Sequence, residues 1–213
     1  MPQNPLKYEL QNILSGKNQD SKGDLIQTIT RHLGAGPSTG PMAQGSQQDK
    51  RKETEKLKAY VNKYGLWVDT LDFSDFISEG AEQRVFIKDE KHVCKLNDSI
   101  YYASWVDYFH NLQLNNFFFP DTVYRLLGFH LEEEVLYAVV EQPYVRADEP
   151  TDLALVKEFM VNNGFDNTRN HDYYNPELGI ILEDLHDENV LTQNGMLYFI
   201  DTVFYIRPEI FWA

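Results

Sequence analysis

Residues 183–201 read EDLHDENVLTQNGMLYFID, and how this stretch pairs with itself decides the fold. The dipeptide Asn194-Gly195 stands between two apolar runs, NVLT and MLYFI. Asn-Gly tolerates the positive φ angles of a tight hairpin turn, so the two runs are expected to pair antiparallel. Folding 189–192 back on 196–201 brings Asn189 and Asp201 together at the open end. Asp184 sits on the loop entering the first strand. A carboxylate, an amide and a second carboxylate therefore converge. All are hard oxygen donors, and the set suits Mg²⁺, which takes only one or two carboxylates when phosphates supply the other ligands.

Upstream, the chain reads as helices, a linker, a helix and then strands. Residues 6–16 and 24–33 have helical apolar spacing, the second opening on Asp24. GAGPSTGPMAQGSQQ (34–48) is rich in Gly, Pro, Ser and Gln and reads as a flexible linker. Its glycine spacing is not a phosphate loop, which needs Gly-Lys-Ser/Thr entering a helix; here Gly40 precedes Pro41. A charged helix covers 49–64 and stops at Gly65. Strand texture follows in LWVDTLDF, RVFIKD, HVCKLN, TVYRLLGFHL and VLYAVVEQPYV, with a helix expected over 99–114 and another over 151–163. Strands with intercalated helices imply an α+β fold. The expected divisions are a helical extension (1–64), a sheet lobe (65–146) and a shortened helical lobe (147–213).

Composition narrows the function. The 213 residues carry a formal charge of −14, unevenly spread. Residues 1–64 hold ten Lys and Arg against six Asp and Glu, net +4; residues 65–213 hold nine against twenty-seven, net −18. The acidic part is a poor nucleic-acid binder, because phosphate contacts rest on Lys and Arg. No apolar run is long enough for a membrane span, and the N-terminus MPQNPLKYEL lacks a secretory pattern. The single cysteine, Cys94, forms no internal disulfide and fits a reducing cytoplasm.

The spacing D-x-x-x-x-N from Asp184 to Asn189, with an Asp after a short hairpin, resembles the protein-kinase superfamily. D-L-H-D-E-N-V-L is similar to the aminoglycoside and choline kinase branch. Upstream, FSDFISEGAEQRVFIKDEKHVCKLN (73–97) has the order strand, Gly-containing turn, strand, then a strand bearing Lys95. S-E-G-A-E-Q, N-F-F-F-P-D and L-Y-F-I-D-T-V-F resemble the polyvalent protein kinases of mobile elements in Bacteroides-type bacteria. The resemblance covers roughly 75–205. It implies a reduced bilobal kinase-like fold and a phosphotransferase that uses ATP and Mg²⁺. Lys95 would hold the α- and β-phosphates, Gly80 would sit in the loop over them, and backbone near Glu141, Gln142 and Tyr144 would meet adenine. Asn189 and Asp201 would hold the metal, and Asp184 would orient and deprotonate the acceptor hydroxyl, of a protein or a small molecule.

The sequence also departs from the pattern. Gly80 stands where three glycines are usual, with Glu82 near it; Leu182 replaces the His of H-R-D; Thr202-Val203-Phe204 follows Asp201. The acids available to pair with Lys95 are Asp98 and Asp107, the latter better placed. Twelve residues follow Asp201, so the substrate helices of a typical protein kinase are expected to be reduced, and the N-terminal helices are expected to pack on the shortened lobe. A pseudokinase or nucleotide-binding regulatory module, and an interaction protein on a kinase-like scaffold, remain as alternatives. His186 among acids reads as a loop hydrogen-bonding residue before a metal ligand. Cys94 is expected in the core, Phe117–Phe119 between helix and sheet, and Glu132–Glu134 at a hairpin turn. Arg169, His171 and Tyr173-Tyr174 lie close enough upstream of the loop to contact substrate, without a spacing that requires it.

Overall fold

A computed structural model describes residues 4–16, 25–34, 46–69, 76–79 and 83–213. The first lobe is an antiparallel sheet of β1 (Phe76–Glu79), β2 (Gln83–Ile87), β3 (His92–Asn97), β4 (Arg125–Glu132) and β5 (Val135–Pro143), in spatial order β1-β2-β3-β5-β4. Alternation along β5 explains its two faces. Leu136, Ala138 and Val140 join one cluster, while Val139 joins Phe86, Cys94 and Leu96 on the opposite side. Cys94 is buried as expected, and burial pushes its thiol up to about 11, so it is no nucleophile at neutral pH. Glu133 and Glu134 turn β4 into β5 with positive φ angles. Before β4 crosses to that turn, it passes close under the segment after Gly65. The Phe129 amide donates to the Leu66 carbonyl at 2.9 Å. A Cβ on Gly128 would come within 2.3 Å of that same oxygen, so only glycine fits.

Helix α4 (Trp105–Phe118) connects β3 to β4. It begins six residues later than the spacing predicts. Asn97 Oδ1 accepts from the Ser99 amide and Asp98 Oδ1 from the Ile100 amide, which holds the intervening residues in turns. Ser104 then caps the helix, its Oγ accepting from the Asp107 amide at 3.0 Å. Every residue from Trp105 to Asn115 is buried, so α4 needs cover on all sides. The sheet supplies one side.

The N-terminal helices supply much of the rest, and they divide between the lobes. α1 (Pro5–Leu14) buries Leu10 and Leu14 completely among Val156, Met160, Phe165 and Ile180 of the second lobe. α2 (Leu25–Leu33) and α3 (Ser46–Tyr64) instead bury Ile26, Ile29, Leu57 and Val61 against Trp105, Phe109 and Phe129. Packing on the shortened lobe is therefore true of α1 and not of α2 and α3. α3 also starts at Ser46, three residues before the expected boundary. Most of the expected linker, and the part of the expected strand LWVDTLDF beyond Asp69, lie outside the described residues.

The second lobe contains α5 (Leu153–Asn162), β6 (Asp166–Arg169), β7 (Asp172–Asn175), β8 (Ile180–Glu183), β9 (Val190–Gln193), β10 (Met196–Phe199), β11 (Val203–Ile206) and α6 (Pro208–Phe211). The reduced bilobal kinase-like architecture holds, with more strand in this lobe than the sequence predicts. The polar stretch 167–179 forms two short strands in a sheet of order β11-β8-β7-β6. Phe117–Phe119 pack inward, Phe119 stacked on Phe199 and Phe118 on Phe204. Among the described residues, no helix is long and apolar enough to cross a membrane.

His110 lies on the buried side of α4 with both ring nitrogens unpartnered among the described residues. The Leu14 backbone is near enough to favour the charged ring slightly, but outside hydrogen-bond geometry. Burial dominates and pushes the imidazole down to about 4. An unfolded histidine titrates near 6.5. Between these values the unfolded chain binds the extra proton, so stability is full above about pH 6.5 and falls as pH drops toward 4. The loss approaches about 3 kcal/mol. Urea denaturation at pH 7 and pH 4.5 should find this loss in wild type and a smaller one in His110→Leu; equal losses would refute it.

Candidate active site

The two lobes face each other across a cleft of about 480 Å³. Asn194 and Gly195 take φ angles of 52° and 73°, and β9 pairs with β10 in the register Val190↔Phe199 to Gln193↔Met196. The Asn189 carbonyl accepts from the amides of Ile200 (2.9 Å) and Asp201 (3.4 Å), which closes the open end of the hairpin. Asn189 and Asp201 both line the cleft. Across it stands Lys95, in the middle of β3, 3% exposed. Residues 105 or so positions apart in sequence thus meet at one place.

Asp184 does not itself line the cleft; it sits on the loop bonded to Asn189, with a half-open side chain and a φ of 69°. That left-handed conformation is uncommon outside glycine, though Asp tolerates it. The surroundings hold it there. The Asp184 amide donates to Asp172 Oδ1 at 3.1 Å, and the Leu185 amide donates to the His171 carbonyl. Asn189 Nδ2 donates to the Asp184 backbone carbonyl (2.9 Å) and to its Oδ2 (3.1 Å). His186 Nε2 lies 3.3 Å from Asp184 Oδ1 and 3.2 Å from Asn189 Nδ2, so His186 braces the loop, as expected. Behind it, burial raises the Glu183 carboxyl, and the Asp172 and Asp184 charges add to the effect. His171 and Asp172 thus act as backbone and side-chain supports of the loop. Arg169 is exposed in β6, Tyr173 is buried in the core, and Tyr174 lies beside Arg207.

Lys95 is placed differently from the expectation about its partner. Its Nζ donates to the Ile200 carbonyl at 2.8 Å and reaches the Tyr124 hydroxyl at 3.4 Å. Burial lowers its pKa, and the Asp201 charge opposes that. Asp107 instead accepts from the Ser104 hydroxyl at the start of α4 (2.8 Å) and acts on Lys50. The carboxylate whose charge acts on Lys95 is Asp201. From α4, Tyr108 is the side chain that senses Asp201: burial, and then that charge, push its phenol up.

The cleft's rear is formed by Gln142, Pro143, Tyr144 and Val145. Glu141 does not line it. Its carboxylate pairs with Lys88 and Arg125, and those cations outweigh the effect of burial and hold it below the usual range. In the register, Glu141 is flanked by Cys94 of β3 and Arg125 of β4, so it lies inside the sheet. The Tyr144 amide donates to the Lys91 carbonyl at 2.7 Å. Gly80 lies outside the described residues.

Three apolar side chains complete the cleft without having been singled out in the sequence. Val85 and Val93 form one wall, Leu191 the other. A flat apolar group between them would be sandwiched, as ligand sites commonly require. Their signal is a spacing of two. Val93 precedes Lys95 by two on one strand face, Val85 opposes Lys95 in the β2–β3 register, and Leu191 follows Asn189 by two. Gln83 was also unforeseen; its amide donates to Asp201 Oδ2.

These features fit a nucleotide with its metal. The cleft brings together an apolar slot, the Lys95 ammonium and the side-chain oxygens of Asn189 and Asp201. No group of three His, Cys, Asp or Glu side chains forms a metal cluster among the described residues. A Mg²⁺ carried by phosphates does not need one.

A family model described as serine/threonine/tyrosine kinase found in polyvalent proteins matches residues 50–208. No curated protein matches the chain, and no solved structure does. The match begins within α3 and takes in the sheet lobe, both strand systems of the second lobe and the start of α6. The chain belongs to the family of serine/threonine/tyrosine kinases found in polyvalent proteins.

Proposed function

We propose that the protein is a MgATP-dependent phosphotransferase acting on a hydroxyl. The observation that carries this reading is the cleft itself, where Lys95, Asn189 and Asp201 border an apolar slot made by both lobes. A bound Mg²⁺ supplies charge neutralisation at the phosphates. Val85, Val93 and Leu191 grip the base. Lys95 draws the phosphates inward. Asn189 and Asp201 offer oxygens to the metal, and Asp184, bonded to Asn189, accepts the proton of the acceptor hydroxyl. Catalysis on this reading is positioning and electrostatics rather than a covalent enzyme intermediate.

A nucleotide-binding module without turnover is the second reading. It is favoured by the Gln83 amide on Asp201 Oδ2 and by the lack, among the described residues, of an ion pair between Lys95 and α4. Melting in the presence of Mg²⁺, ATP or both tests the shared core of the two readings. The expected result is stabilisation with both together, near 3 kcal/mol at about a hundredfold excess over Kd, and none in Asp201→Asn. No stabilisation at millimolar MgATP would refute both. Turnover of ATP separates them.

A further inference from the structure

We propose that Tyr124 is the positioning residue of Lys95, in the role that a helix carboxylate would fill; the inference rests on the phosphotransferase reading for its kinetic arm only. Tyr124 stands at the entry to β4, 5% exposed. Its hydroxyl donates to the Ile200 carbonyl at 2.8 Å, the same oxygen that accepts from Lys95 Nζ. The hydroxyl lies 3.4 Å from Nζ, and the ring lies 5.3 Å from it. One residue thus offers the ammonium an oxygen and a π face. A buried ammonium costs free energy unless it is hydrogen-bonded, so these contacts decide where it rests.

Tyr124 is itself held. Asn116 Oδ1 accepts from the Tyr124 amide at 2.6 Å, and Asn116 Nδ2 donates to its carbonyl at 2.8 Å. Two residues earlier, Thr122 joins the rest of the site. Its hydroxyl donates to the Phe199 carbonyl, and its own carbonyl accepts from Asn115 and from Gln142 at the cleft's rear. Asn115 Oδ1 in turn accepts from the Thr202 hydroxyl, and Asn111 Oδ1 from the Phe204 amide. Segment 122–124 therefore ties α4, β5 and the metal hairpin together. α4 needs no carboxylate aimed at Lys95, because its amides fasten Thr202 and Phe204, just past the hairpin, and Tyr124 shares the Ile200 carbonyl with the lysine. The carbonyl they share belongs to Ile200, one residue before Asp201, so the contact holds Lys95 where the Asp201 charge acts on it.

Tyr124→Phe removes the hydroxyl and keeps the ring. Two readouts test it. The first is acylation of Lys95 by an amine-reactive ester across pH, read by mass spectrometry of the folded protein without nucleotide. Removing an acceptor from the ammonium should move the midpoint acidward by about one pH unit. The second is steady-state kinetics. KM for MgATP should rise about fivefold to tenfold while KM for the acceptor stays unchanged. An unshifted acylation midpoint overturns the proposal, whatever the kinetics. A shifted midpoint in a protein that neither binds MgATP nor turns it over sustains Tyr124's role and refutes the phosphotransferase reading instead. Should Tyr124→Phe melt early, Asn116→Ala provides a second route. It frees the Tyr124 backbone with the hydroxyl retained, and the same midpoint shift, smaller, is expected; none would overturn the proposal.

Discussion

Asp184→Asn is expected to lower phosphoryl transfer by about 10²-fold to 10⁴-fold while MgATP still stabilises the protein. Asn keeps the shape and one oxygen acceptor, so the loop's bonds to Asn189 survive in part. It loses the basicity that takes a proton from the acceptor. The proposed metal ligands, Asn189 and Asp201, keep their own side chains, and the apolar slot does not include Asp184. Turnover and autophosphorylation in wild type and variant, beside melting with MgATP, separate chemistry from binding. Equal rates would remove Asp184 from the mechanism. The positive φ at Asp184 adds a control. Asp184→Gly relaxes the backbone and deletes the carboxylate, so it should lose as much activity as Asp184→Asn; retained activity would mean that loop shape alone is what matters.

Removing α1's anchors is expected to be the largest single loss of stability. Leu10 and Leu14 are completely buried in the second lobe's core. Truncating a buried leucine to alanine costs about 2–5 kcal/mol, against a typical total of about 5–15. Leu10→Ala and Leu14→Ala should each lower the urea midpoint markedly, and together they should leave the second lobe partly unfolded at room temperature. Tyr8, half-exposed on the same helix, serves as the control: Tyr8→Ala should cost under about 1 kcal/mol. Equal midpoints for Leu14→Ala and Tyr8→Ala would mean that α1 is an ornament. Further support for its anchoring comes from Asn4 Nδ2, which donates to Glu177 Oε2 at 3.4 Å, and from Gln11. Asn4 caps the helix, accepting from the Leu6 and Lys7 amides, and Gln11 donates to the Phe211 carbonyl.

The hairpin, the Lys-bearing strand and the order of the first lobe were legible because their signals are local. Asn-Gly selects positive φ angles whatever surrounds it. Alternation around Val93-Cys94-Lys95 separates a core face from a cleft face within three residues. The strands at 166–175 were not legible. Asp166, Asn167, Arg169 and Asp172 have little strand propensity; β7 pairs because β8 presents an edge to it, and β6 then pairs with β7. α4's late start was hidden for a different reason. Ile100, Tyr101 and Tyr102 have helical spacing, but side chains of Asn97 and Asp98 capture the next amides first.

What the sequence by itself determined is the chemistry at hand and its coarse placement: a lysine on a strand, an Asp and an Asn one loop apart, and a turn that returns a second Asp to them. The tertiary structure decided which groups touch. It gave Lys95 a carbonyl and a tyrosine in place of Asp107, took Glu141 into an ion-paired sheet interior, and sent α1 to one lobe but α2 and α3 to the other. The physical reason is range. Turn and strand preferences act over a few residues, whereas burial of Lys95 and the packing of an all-buried α4 depend on partners about a hundred positions away, which no local preference encodes.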